Sequence, residues 1–153
     1  MAEISQPPRD IGDTLDSQMA TKRLLVIDDQ PRVLEVLRDL LASFQHGYVY
    51  EITTTQSVAE ALAILQREAF DLILLDMVMP GIGNPAHRRQ GLAVMKRIRD
   101  LGVTTPVLMM SGDYEVQKEA DALIDGAVGY LHKPFNMAEL DRLVARAIES
   151  APP

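Results

Sequence analysis

Three carboxylates, one hydroxyl and one ammonium stand at the ends of four apolar runs. Leu24-Leu25-Val26-Ile27 leads into Asp28 and Asp29, and Leu72-Ile73-Leu74-Leu75 leads into Asp76. Pro106-Val107-Leu108-Met109-Met110 leads into Ser111, and the run Val128 to Leu131 leads into His132-Lys133-Pro134. Short apolar runs of this kind read as buried parallel strands. Open α/β sheets bind their ligands at the carboxyl ends of such strands, so these five residues would surround one point. Close carboxylates cannot all stay ionised without a counter-charge. A hard divalent cation supplies it, and Mg²⁺ favours oxygen ligands from one or two carboxylates together with phosphate oxygens. The chemistry that suits the set is phosphoryl transfer to a carboxylate nucleophile, giving an aspartyl phosphate. Mg²⁺ and Lys133 would neutralise the incoming anion, and the Ser111 hydroxyl would hold one of its oxygens.

The elements that must position these groups follow a regular order from Lys22 onward. After the first strand, Pro31 opens a helix with Val33, Leu37, Leu40, Leu41 and Phe44 at helical spacing. Tyr48 to Thr55 is rich in β-branched and aromatic residues and reads as a strand. Ser57 with Glu60 forms a capping box for a helix burying Val58, Ala61, Leu62 and Leu65. The Asp76 strand comes third, stopped by Pro80 and Gly81. A helix with Leu92, Met95 and Ile98 inward follows, then the Ser111 strand and a weaker helix from Tyr114 to Ile124. After the fifth strand, Asn136 and Glu139 cap a last helix carrying Leu140, Leu143, Val144, Ala147 and Ile148. Five alternating strand–helix units predict an α/β fold. Its five-stranded parallel sheet has helices on both faces, a (βα)5 doubly wound arrangement of the flavodoxin-like kind.

Composition narrows the partners. The chain has 153 residues, a formal net charge of −7 and no cysteine. Disulfides and thiolate metal sites are thereby excluded. The acidic balance argues against direct nucleic-acid binding, which needs clustered Lys and Arg. No apolar stretch approaches the roughly 20 residues of a membrane span. Met1 to Asp10 does not read as a secretory signal, so the expected location is the cytoplasm. His46, His87 and His132 share no metal-ligand spacing. The expected organisation is a flexible leader over 1–21, one domain over 22–150 and a short tail over 151–153. An alternative for the leader is an arm in which Ile11, Leu15 and Met19 form a docking stripe.

With these residues in view, the chain resembles the receiver domain of two-component response regulators, of the stand-alone kind. The matching segments are Leu25 to Asp29, Asp71 to Pro80, Gly91-Leu92 with Ile98-Arg99, Pro106 to Gly112, and Gly126 to Phe135. The resemblance implies that Asp76 takes a phosphoryl group from a histidine kinase or histidine phosphotransfer protein. It implies that Asp28, Asp29, Asp76 and the Val78 carbonyl hold Mg²⁺, with Asp29 as direct ligand and Asp28 acting through water. Ser111 would move toward the phosphoryl oxygen, Tyr130 would rotate inward behind it, and Lys133 would pair with the phosphoryl group. The bond before Pro134 would be cis. Output would pass by protein contacts to a downstream target, through the fourth and last helices, and the only catalysis would be of the protein's own phosphorylation and dephosphorylation.

Two departures from the family pattern stand out. The loop over 81–90 is about seven residues longer than usual and carries His87, Arg88 and Arg89. It reads either as a tolerated surface insertion or as a basic partner loop beside the site. Val78 and Asp113 occupy positions that tune water access in the family, and an aliphatic Val78 predicts slow loss of the phosphoryl group. Two other functions compete. A phosphatase of the haloacid-dehalogenase type needs Asp-x-Asp, but Gln30 stands two residues after Asp28 and Val78 two after Asp76. An unphosphorylated adaptor on the same fold would show a lost acid, Ser or Lys, and none is lost.

Overall fold

The computed structural model describes residues 19–78, 90–112, 122–123 and 126–150. Most of the expected leader, the loop residues His87, Arg88 and Arg89, Asp113 and most of the helix expected over 114–124 lie outside them. Nine elements are described: β1 (Ala20–Ile27), α1 (Pro31–Ser43), β2 (Tyr48–Thr55), α2 (Val58–Arg67), β3 (Leu72–Asp76), α3 (Gln90–Asp100), β4 (Val107–Ser111), β5 (Gly129–His132) and α4 (Met137–Ser150). The strands form one sheet in the order β2-β1-β3-β4-β5, every pair parallel. This is the doubly wound sheet expected from the alternation of runs.

Side-chain alternation divides the core in two. Leu25, Ile27, Ile73, Leu75, Val107 and Met109 face α2 and α3, whereas Leu24, Val26, Leu72, Leu74, Leu108 and Met110 face α1 and α4. Both faces being covered explains why β3 and β4 are buried at every position. Helix α1 turns Leu34, Leu37 and Leu41 inward, with Val33 and Leu40 only partly covered. The expected stripe therefore sits one position off at its start. In α3 the buried side chains are Val94, Met95 and Ile98, with Leu92 packed at the margin and Gly91 buried at the helix start.

Strand β1 begins at Ala20, inside the segment expected as leader, and its first residues, Ala20 to Arg23, pair with β2 alone. Arg23 fixes this end. Its guanidinium bonds Glu51 and Glu68, donates to the Ala69 carbonyl and lies 4.7 Å from the Phe70 ring centroid. Ser57 caps α2 by accepting the Glu60 N–H at 3.2 Å. The return half of the box runs through Thr55, whose hydroxyl donates to the Glu60 carboxylate and accepts the Ser57 N–H. No described helix is long and apolar enough to cross a membrane.

Candidate functional site

The chain leaves β1 toward β2 on one side and later enters β3 on the other. The order of strands therefore reverses between β1 and β3, which opens a crevice at their carboxyl ends. Asp28, Asp29 and Asp76 occupy that crevice. One carboxylate oxygen from each lies within 4.8 Å of the others. Asp28 is fully buried and Asp76 nearly so, while Asp29 is half-exposed.

Local backbone geometry aims each group. The Asp28 N–H donates to the Thr55 carbonyl at 3.1 Å, continuing the β1–β2 ladder one residue past the strand. Its Oδ1 accepts the Gln30 N–H at 2.9 Å, closing a turn ahead of α1. Asp76 ends β3, and its Oδ1 accepts the Val78 N–H at 3.2 Å in the same kind of turn. The Lys133 N–H donates to the Ser111 carbonyl at 2.8 Å, so the β4–β5 ladder places the lysine beside Ser111. The Lys133–Pro134 peptide bond is cis. Lys133 Nζ then bridges two acids, donating to Asp28 Oδ2 at 2.7 Å and standing 3.3 Å from Asp76 Oδ2.

Burial, reinforced by the charge of Asp28, pushes the Asp76 carboxyl up from the usual carboxylate range to about 6. Lys133 and the Val78 N–H oppose that rise without cancelling it. One ammonium is insufficient counter-charge for three acids, and the donor set is all oxygen. These residues fit a hard divalent cation.

Ser111 is fully buried at the end of β4. Tyr130 is buried too, its ring 5.3 Å from that of His132, so in this structure it already occupies the inward side. Val78 is exposed at the rim. Two features escaped the sequence. Lys133 was expected to face an incoming anion, yet here it also holds Asp28, a contact between residues far apart in the chain. Gly91, at the start of α3, donates its N–H to the Met77 carbonyl immediately after Asp76; the Gly91-Leu92 match to the receiver pattern marks this glycine but not its contact.

Residues 24–145 match the response regulator receiver domain family. The transcriptional regulatory protein DltR of Streptococcus agalactiae serotype III (strain NEM316) is 32% identical over 124 residues, covering 81% of this chain and 49% of the relative. The response regulator protein FleR of Pseudomonas aeruginosa is 39% identical over 128 residues, covering 84% of this chain and 24% of the relative. The chain thus spans about half or less of the length of these relatives. Among solved structures, a response regulator receiver domain protein from Clostridium thermocellum superposes with a TM-score of 0.70 at 26% identity. That match covers 84% of this chain and 94% of the other.

Proposed function

The chain belongs to the response regulator receiver domain family, and on that premise we propose that it is a signalling switch thrown by phosphorylation of Asp76. The phosphoryl donor is a phosphohistidine on a histidine kinase or phosphotransfer protein. The observation that carries the reading is the buried Asp76 carboxylate in the β1–β3 crevice, tied through Lys133 to Asp28.

A carboxylate oxygen of Asp76 bonds to phosphorus as the phosphorus–nitrogen bond of the donor breaks, and the imidazole nitrogen keeps the electron pair. Lys133 moves its charge from the acids toward the arriving phosphoryl oxygens. Asp28, Asp29, Asp76 and the Val78 carbonyl would hold Mg²⁺, which when bound neutralises charge on the acids and on the phosphoryl group. Ser111 donates its hydroxyl to a phosphoryl oxygen. That contact exists only in the phosphorylated form, so it shifts the population of states. Tyr130 packs behind it, and phosphorylation holds this ring inside.

The donor must bring its histidine to the crevice. A groove of ≈ 570 Å³ adjoins Lys133, lined by Val33, Val36, Leu40, Pro134 and Phe135. An apolar helix face on the donor suits it. Output passes to a downstream protein through contacts remade around Tyr130. The test is incubation with Mg²⁺ and acetyl phosphate, followed by intact mass. Wild type should gain one phosphoryl mass and Asp76→Asn none. A wild-type protein that gains none from acetyl phosphate or a phosphohistidine donor would overturn the proposal.

A further inference from the structure

Helix α3 approaches the turn after Asp76 more closely than any residue with a side chain would allow. A Cβ on Gly91 would lie 2.6 Å from Met77 Cα, 2.8 Å from the Asp76 carbonyl oxygen and 3.1 Å from the Met77 carbonyl carbon. All three are backbone atoms, so no change of rotamer relieves the contact. The Gly91 N–H donates to the Met77 carbonyl at 2.5 Å, and the Met77 N–H donates to the Met110 carbonyl at 2.7 Å. The Met77 side chain is buried in the same core cluster as Val94 and Met95 of α3. The turn is therefore gripped by β4 on one side and by α3 on the other. The peptide whose carbonyl Gly91 holds also carries the Val78 N–H, which donates to Asp76 Oδ1 at 3.2 Å.

We propose that Gly91 is a positioning residue for the acceptor. Its bare Cα lets α3 seat on the Asp76–Met77 backbone, and that seat sets the direction of the Val78 peptide and so of the Asp76 carboxylate. Glycine costs a helix about 1 kcal/mol relative to alanine; the close approach gives that cost a purpose. The inference rests on the phosphoacceptor reading above. With alanine at this position, the closest contact must open by most of an ångström before it reaches the 3.4 Å of an ordinary one. Displacements on that scale slow a positioned reaction by about tenfold to a hundredfold.

The test uses the full chain. Gly91→Ala is compared with wild type for the rate of phosphorylation by acetyl phosphate at saturating Mg²⁺, and for the Mg²⁺ dissociation constant measured with the metal alone. Leu65→Ala, a buried change in α2, controls for lost stability. The expected result is a rate at least about tenfold lower and a weaker Mg²⁺ affinity in Gly91→Ala, with Leu65→Ala unchanged in both. If Gly91→Ala does not fold, an amide-to-ester replacement at Gly91 removes the N–H without adding an atom. It should lower rate and affinity in the same direction. Wild-type rate and affinity in the folded Gly91 variant overturn the inference, as does an equal loss in Leu65→Ala. If wild type itself takes no phosphoryl group, the phosphoacceptor reading has failed, and the role of Gly91 is judged on Mg²⁺ affinity alone.

Discussion

Replacing Asp76 by asparagine should make the metal-free protein more stable at neutral pH and not at acid pH. The carboxyl stands at about 6 instead of 3.8, raised first by burial and then by Asp28. At about 1.4 kcal/mol per pH unit, the ionised form carries a penalty of up to about 3 kcal/mol in the folded chain. Below pH 3.8 the group is neutral in both folded and unfolded chains, and no penalty exists. Between 3.8 and about 6 the unfolded chain releases its proton while the folded chain keeps it, so stability falls as pH rises. Above about 6 the loss is complete. Asparagine keeps the shape and removes the charge. The 3.3 Å ion pair with Lys133 is already counted in that shift, and on its loss Lys133 retains Asp28 at 2.7 Å. The net gain should be about 1–2 kcal/mol near pH 7.5, fading to nothing near pH 4. Urea unfolding followed by circular dichroism, with a chelator present, reads it directly. Added Mg²⁺ should stabilise wild type and leave the variant nearly unmoved. A variant no more stable than wild type at neutral pH, or a gain independent of pH, would refute the electrostatic account of the crevice.

Lys133→Met leaves fully buried Asp28 without its cation. It should cost about 3 kcal/mol in metal-free melts and slow phosphorylation by acetyl phosphate; an unchanged melt would show that the bridge contributes nothing. Arg23→Met dismantles the clamp on Glu51, Glu68 and the Phe70 ring. Denaturation should register a loss of about 1–2 kcal/mol, with phosphorylation rate unchanged because the clamp lies at the opposite ends of the strands. Val78 is aliphatic and exposed at the rim. The acyl phosphate should therefore persist, and Val78→Gln should shorten its lifetime by offering water a hydrogen bond; decay within seconds in wild type would contradict this.

Much of the fold was legible because a parallel strand covered on both faces is spelled as an uninterrupted apolar run. Such runs ending in Asp28, Asp76 and Ser111 put the polar residues on one edge. What the sequence concealed has a common cause, since each hidden feature depends on a partner distant along the chain. The start of β1 is Ala20-Thr21-Lys22-Arg23, polar because it pairs with β2 alone. Arg23 reads as a surface charge until Glu51, Glu68 and Phe70 surround it. The one-position offset in α1 arises because Leu34 and Val33 fit the same helical spacing, and only packing chooses Leu34. Gly91 stands in a matching segment, but its reason shows only once Met77 is placed against it.

The division of the interior by the sheet has a consequence for how a change at Asp76 can spread. Tyr130 and Met77 lie in the compartment closed by α2 and α3, whereas Leu131, the very next residue, lies in the compartment closed by α1 and α4. A ring that shifts in the first compartment is insulated from the second by a wall of backbone. One flank of the molecule can thus reorganise while the other serves as a fixed keel.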